Sequence, residues 1–232
     1  MRLAVMQPYC FPYVGYFQLV HAVDTFVFFN DVNFIKKGWI NRNRLLQNKK
    51  IAHFTIPLKK QSQNKKINEI QISDYSKWKS KFFKTLHFNY RKAPHYDNAI
   101  ELLGRICNRH YDFIHEFSSA SVVEISQYLG MKKRFVFSDE LGYEGNSGTE
   151  KILSICRKAG AEVYINSQNG RHLYKTEDFG DRHVELQFLE PCLGKYRQFS
   201  DDFFEGLSII DILMFNSQAK CRELLLNYTI GT

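Results

Sequence analysis

Between an apolar opening at residues 3–6 and a helical pattern at 14–23 lies a segment that neither helix nor sheet can absorb, Gln7-Pro8-Tyr9-Cys10-Phe11-Pro12-Tyr13. Two prolines fix φ and remove backbone donors, and Gly15 just beyond lets another group approach the chain closely. Apolar residues from Val14 to Val23 recur at helical spacing. The block therefore predicts strand, shaped loop and helix, with the loop held over the strand's carboxyl end. In α/β folds that is where ligands bind. A purely architectural loop has little use for so many tyrosine hydroxyls beside an amide, so Gln7, Tyr13, Gly15 and Tyr16 are candidate binding residues.

The remaining pattern alternates strand and helix. Residues 3–6 and 25–29 read as buried strands around the first helix, a βαβ start that favours parallel pairing. Residues 33–57 are ambiguous: 40–46 has turn-like polar residues, whereas 51–58 alternates like a strand. Residues 67–72 are another strand candidate, and Ser73-Asp74 caps a helix over 75–90 that Ala93-Pro94 breaks. Helices over 96–103 and 110–129 follow, with Gly130 as a stop, then a strand at 134–138. The second half predicts a glycine-rich loop (142–148), a helix (149–159) closed by Gly160, strands at 162–165 and 183–189, and short helices at 208–213 and 217–228. The expected fold is α/β: one Rossmann-like domain over 1–232, its sheet rich in parallel strands, with a helical insertion over about 60–132.

The composition narrows the class. At 232 residues the chain is long enough to bury a full core, and 44% hydrophobic with 15% aromatic residues argues against disorder. The longest apolar runs fall short of a membrane span, and a single basic residue followed by a Gln-Pro break does not read as a signal peptide. Cys10, Cys107, Cys156, Cys192 and Cys221 are odd in number and never spaced C-x-x-C. That pattern fits free thiols in a reducing cytoplasm and argues against a zinc site, so no metal is expected. The net charge is +8, concentrated between residues 36 and 84.

An anionic partner suits that charge. Lys36-Lys37-Gly38-Trp39-Ile40-Asn41-Arg42-Asn43-Arg44 is the best candidate for the contact, because cations and amides around tryptophan suit a diphosphate with a stacked base or sugar. Lys49 to Lys84 reads as a solvated basic face. Four loops are expected on one rim of the sheet: 7–16, Asn30-Asp31, 142–149 and 166–170. Gly145-Asn146-Ser147-Gly148-Thr149 before a helix either seats a phosphate or is an ordinary capped loop. Asp31, after a buried strand, is the candidate acid-base group, with His172 and His183 as further candidate bases. Asp211 either caps a helix or reaches the site, and the sequence leaves that open.

Met6-Gln7-Pro8-Tyr9, then Phe11-Pro12-Tyr13-Val14-Gly15-Tyr16-Phe17-Gln18-Leu19, is similar to the opening signature of the WbqC-like protein family. The resemblance continues through Asn30-Asp31-Val32 and residues 34–44, then Tyr90-Arg91-Lys92-Ala93-Pro94, Ile155-Cys156, Tyr164-Ile165 and residues 207–213. Two positions depart from it: Cys10 stands where an aromatic is usual, and Asn30 where an acid is expected. The resemblance implies surface-polysaccharide (O-antigen, lipopolysaccharide) assembly, with attachment of an amino acid or acyl group to an amino sugar. The expected protein is thus a cytoplasmic transferase that forms an amide on a nucleotide-linked amino sugar. Its donor would be an activated amino acid or acyl group, with aminoacyl-tRNA as one form. Gln7, Tyr13, Tyr16 and Asn43 would orient the substrate, and Lys36, Lys37, Arg42 and Arg44 would clamp its diphosphate. The layout Pro12-Tyr13-Val14-Gly15-Tyr16 also resembles the H-x-G-H loop of nucleotidylyltransferase-like folds, with tyrosines at both histidine positions. An ATP-dependent amide ligase and a non-catalytic nucleotide-sugar or RNA binding module are the alternatives, and the cofactor is left unknown.

Overall fold

The computed structural model describes residues 1–180, 182–200 and 202–232. In chain order the elements are β1 (Arg2–Met6), α1 (Val14–Ala22), β2 (Thr25–Phe28), β3 (Arg42–Gln47), β4 (Lys50–Thr55), α2 (Tyr75–Tyr90), α3 (Tyr96–Cys107) and α4 (Ile114–Tyr128). Then come β5 (Arg134–Phe137), α5 (Gly148–Ala159), β6 (Val163–Ser167), α6 (Thr176–Gly180), β7 (Glu185–Pro191), α7 (Ile209–Phe215), α8 (Gln218–Leu225) and β8 (Tyr228–Gly231). Among the described residues the main sheet has the order β5-β2-β1-β6-β7-β8, parallel throughout except for antiparallel β8. This is a Rossmann-like α/β fold.

Side chains alternate across the sheet as a two-sided strand requires. Ala4, Phe26 and Phe28 pack into the larger core with α1, α4, α7 and α8. Leu3, Val5 and Val27 point to the other face, against Ile152, Ile155 and Cys156 of α5. The larger core is aromatic where β2 meets β5: Phe28 stacks on Phe135 with centroids 5.7 Å apart. The helices expected over 60–132 lie between β2 and β5, preceded there by the β3–β4 hairpin.

Four local expectations are corrected. The ambiguous stretch 33–57 contains a hairpin whose two-residue turn is Asn48-Lys49, both in the left-handed region (φ 49° and 60°). That backbone matches the twist of the flanking strands. Residues 40–46 read as turn-like because Asn43, although buried, is polar: it points inward to hold backbone rather than outward to water. Residues 67–72 form a single 3-10 turn (Ile67–Glu69) and isolated bridges rather than a strand. The helix expected from 110 begins at Ile114, where Glu116 accepts from the Phe113 amide. The helix expected over 217–228 ends at Leu225, and Tyr228–Gly231 forms a strand that pairs with β7.

Asp211, left open by the sequence, does not line the main cavity but is a fully buried polar node. Its carboxylate accepts from Tyr90 Oη (2.8 Å), Tyr196 Oη (2.7 Å) and Gln198 Nε2 (3.1 Å). Burial pushes its pKa above the usual carboxylate range, against the lowering effect of those donors. The node ties α2 to α7 and to the segment that follows β7. Asp211→Ala should lower stability by about 2–4 kcal/mol, because two buried tyrosine hydroxyls lose their acceptor. Denaturant unfolding checks this, and Asp211→Asn, which keeps one acceptor oxygen, should lose less.

Candidate functional site

The chain runs from β1 outward through β2 to β5, then returns to β6 on the other side of β1. Connections after β1 and β6 therefore leave in opposite directions and open a crevice between their carboxyl ends. A cavity of about 510 Å³ occupies that crevice, within the usual range for small-molecule sites. Its floor is Met6 and the loop Tyr9, Pro12 and Tyr13, with Gly15, Tyr16 and Leu19 of α1. Trp39, Asn43 and Arg44 line one side, Ser167 and Asn169 another. Pro191, Leu193, Glu205 and Gly206, from the end of β7 and the segment after it, complete the wall.

The loop from Gln7 to Tyr13 is held from four directions. Phe11 adopts φ 44°, a left-handed backbone uncommon for a bulky residue. Its N–H donates to Ser121 Oγ of α4 at 3.0 Å. Its carbonyl accepts from Asn43 Nδ2 (3.0 Å) and Ser208 Oγ (2.7 Å). Asn43 Nδ2 also reaches the Cys10 carbonyl at 3.0 Å, and the Cys10 amide donates to the Trp39 carbonyl at 3.0 Å. Tyr16 Oη donates to the Gln7 carbonyl at 2.9 Å. Burial holds the hydroxyls of Tyr9, Tyr13 and Tyr16 above the usual tyrosine pKa, so all three stay protonated near neutrality. Cys10 is fully buried and its thiol is pushed well up, which leaves no thiolate for nucleophilic attack.

The predicted residues divide clearly. Tyr13, Gly15, Tyr16, Trp39, Asn43 and Arg44 meet at the cavity, and Gln7 supplies a backbone anchor beside it. Asn41 is buried and donates to the Ile56 carbonyl at 2.8 Å. Lys36 and Lys37 are exposed and lie outside the lining. Arg42 turns back on its own loop, donating to the carbonyls of Gly38 (3.1 Å) and Lys37. Of the four cations expected in a clamp, Arg44 alone lines the cavity. Its guanidinium lies 5.2 Å from the Trp39 ring centroid and donates to the Gly206 carbonyl at 2.7 Å. Its Nε is buried and, among the described residues, has no hydrogen-bond partner.

Asp31 and the acidic rim lie elsewhere. The Asp31 carboxylate accepts from Ser138 Oγ and from Tyr143 Oη at 2.8 Å, and it does not line the cavity. Asn30 and Asn68 both donate to Asp139 beside it. Of the four loops expected to meet on one rim, 7–16 and 166–170 share the cavity, while Asn30-Asp31 and 142–149 meet each other through Tyr143. Ser147 and Glu150 form a capping box at the start of α5, with Glu150 accepting from the Asn146 and Ser147 amides, so that helix start is an ordinary capped loop. His172 and His183 are exposed and outside the cavity. Asn169 comes in with the expected 166–170 loop, whereas Glu205 entered the site unpredicted: no periodic pattern marks it, and only the path of the segment after β7 brings it in. Among the described residues no three His, Cys, Asp or Glu side chains cluster as metal ligands would, and no helix is long and apolar enough to cross a membrane.

A Cβ on Gly15 would sit 2.4 Å from Tyr13 Cε2 and 2.8 Å from its hydroxyl. The obstacle is one side-chain ring, which can swing. Gly15→Ala should therefore fold with a stability change within about 1 kcal/mol yet move the Tyr13 ring and reshape the cavity. Unfolding midpoints and near-ultraviolet dichroism measure the two effects separately. Asn43→Ala, which strips two loop carbonyls of a donor, should cost about 1–3 kcal/mol.

The profile of the WbqC-like protein family matches residues 7–223. An uncharacterized protein of Mycobacterium tuberculosis is 27% identical to this chain over 228 residues, covering 97% of each. No solved structure matches.

Proposed function

The chain belongs to the WbqC-like protein family, and from that premise we propose that it transfers an activated amino acid or acyl group to the amine of a nucleotide-linked amino sugar, forming an amide in surface-polysaccharide assembly. The supporting observation is the cavity at the point where the chain direction reverses across the sheet, floored by the family's opening signature. Such crevices take nucleotide-type ligands in open α/β sheets.

The lining suits that ligand. The start of α1 reaches the cavity through Gly15 and Tyr16, and its first turn carries no acidic residue and no side-chain cap. Its positive end is thus open to an anion. Arg44 adds a guanidinium to the lining, a planar set of donors suited to phosphate oxygens. Trp39, flanked by Arg44 and stacked on His53 with centroids 6.3 Å apart, presents an aromatic edge beside the charge. The hydroxyls of Tyr9 and Tyr13, with Asn169, offer neutral hydrogen bonds of the kind that orient a sugar. Burial and the neighbouring Arg42 and Arg44 hold His53 below the usual histidine pKa, so it adds no charge at neutral pH. In this reading the protein positions donor carbonyl and acceptor nitrogen together, and proximity carries much of the rate.

Incubation with sugar nucleotides that carry a free amine and with activated acyl or aminoacyl donors, followed by mass spectrometry of the sugar nucleotide, tests the reading. An amide-sized mass gain is expected, and its absence with every donor would remove the transferase assignment. Arg44→Ala should weaken sugar-nucleotide binding by about 1.5–3 kcal/mol, the range for hydrogen bonds to a charged group, while Lys36→Ala leaves it within about 0.5 kcal/mol. Calorimetry measures both.

A further inference from the structure

The cavity carries opposite charges in one place. Among its described lining residues, Arg44 is the single cation and Glu205 the single carboxylate. The two are brought close by backbone: Arg44 Nη2 donates to the carbonyl of Gly206, the residue after Glu205, at 2.7 Å. Gly206 is what permits this approach. Its φ is 64°, and a Cβ there would lie 2.7 Å from the same Nη2. Yet among the described residues neither Arg44 nor Glu205 is in an ion pair. Both line the cavity, and Glu205 is exposed. A cation and an anion that line one cavity and form no ion pair with each other match a ligand that carries both signs.

We propose that Glu205 binds the ammonium of the ligand whose phosphate Arg44 holds, so that the cavity selects amino sugars over their hydroxyl counterparts. This rests on the nucleotide-sugar reading above and adds the source of its selectivity. The chemistry supports the division of labour. A guanidinium presents several donors in a plane that matches phosphate oxygens, whereas a carboxylate only accepts and pairs best with an N–H bearing positive charge. A hydroxyl in the same position forms a neutral hydrogen bond of about half the strength and leaves the carboxylate's charge uncompensated. Two carboxylates near the ends of β2 and β5 are already engaged. Asp31 accepts from Ser138 and Tyr143, and Asp139 from Asn30 and Asn68.

The test is calorimetry with paired ligands, UDP- and dTDP-linked sugars bearing either an amine or a hydroxyl at the same carbon, on wild type, Glu205→Gln, Arg44→Ala and Lys65→Ala. Wild type should prefer the amine by about 10- to 100-fold, the span of a charge-assisted hydrogen bond. Glu205→Gln should lose most of that preference while keeping its affinity for the hydroxyl ligand. Arg44→Ala should weaken both ligands alike, and Lys65→Ala should change neither. Unfolding midpoints confirm that each variant is folded. Equal affinity of wild type for amine and hydroxyl, or a Glu205→Gln protein that keeps the preference, would overturn the role of Glu205 and leave the nucleotide-sugar reading standing. Binding of neither ligand by the wild type would instead overturn the reading itself.

Discussion

The backbone of Phe11 is the constraint on which the site depends. A left-handed φ on a bulky aromatic residue costs about 1–2 kcal/mol, and the fold has to over-determine that conformation for it to persist. It does so twice. The ring is fully buried among Phe54, Phe82 and Phe117, with centroids 5.6–6.3 Å away. The peptide groups on either side are gripped by Ser121, Asn43 and Ser208, which come from α4, β3 and the start of α7. Buried backbone groups have to find partners, so a loop without regular structure is stable here only because three distant elements supply them.

That clamp joins the opening loop to two distant segments of the chain. Asn43 belongs to the basic segment and Ser208 to the C-terminal motif, and both hydrogen-bond the same carbonyl. Asn43 also lines the cavity, so the residue that shapes the floor is part of the wall. Ser208 serves a second purpose by accepting from the Ile210 amide as the cap of α7. Its own amide donates to the Arg44 carbonyl at 2.9 Å. The backbone beneath Arg44 is therefore fixed by the same cap that fixes the loop, and the guanidinium is carried on a rigid element, as a positioned charge requires.

Two buried or half-buried carboxylates illustrate how burial separates structure from chemistry. Asp211 is fully enclosed, and two tyrosines and an amide consume its acceptor capacity, so it acts as an internal tie. Asp31 joins the end of β2 to the turns after β5 through Ser138 and Tyr143. Glu205 differs from both because it stands exposed at the cavity with no ion-pair partner among the described residues. What distinguishes the three is which donors the fold brings within reach.

The sequence by itself determined the strand, loop and helix at the N-terminus, the parallel α/β alternation and most helix limits. Each of these rests on local chemistry: proline and glycine at 8–15, 3.6-residue periodicity in α5, and caps such as Ser147 and Gly160. It also singled out Tyr13, Gly15, Tyr16, Trp39, Asn43 and Arg44 as a group, because they are clustered in two short segments. Only the tertiary structure decided that Arg44 faces the cavity while Arg42 caps its own loop: the two share one face of β3, but Arg42 opens the strand beside Gly38 and Lys37, whereas Arg44 lies beside Gly206. It alone brought Glu205 within one residue of Arg44's partner carbonyl, across 161 positions of chain. Contacts at that separation arise from the return of the chain across β1 to β6 and β7, and no local pattern in the amino acids encodes them.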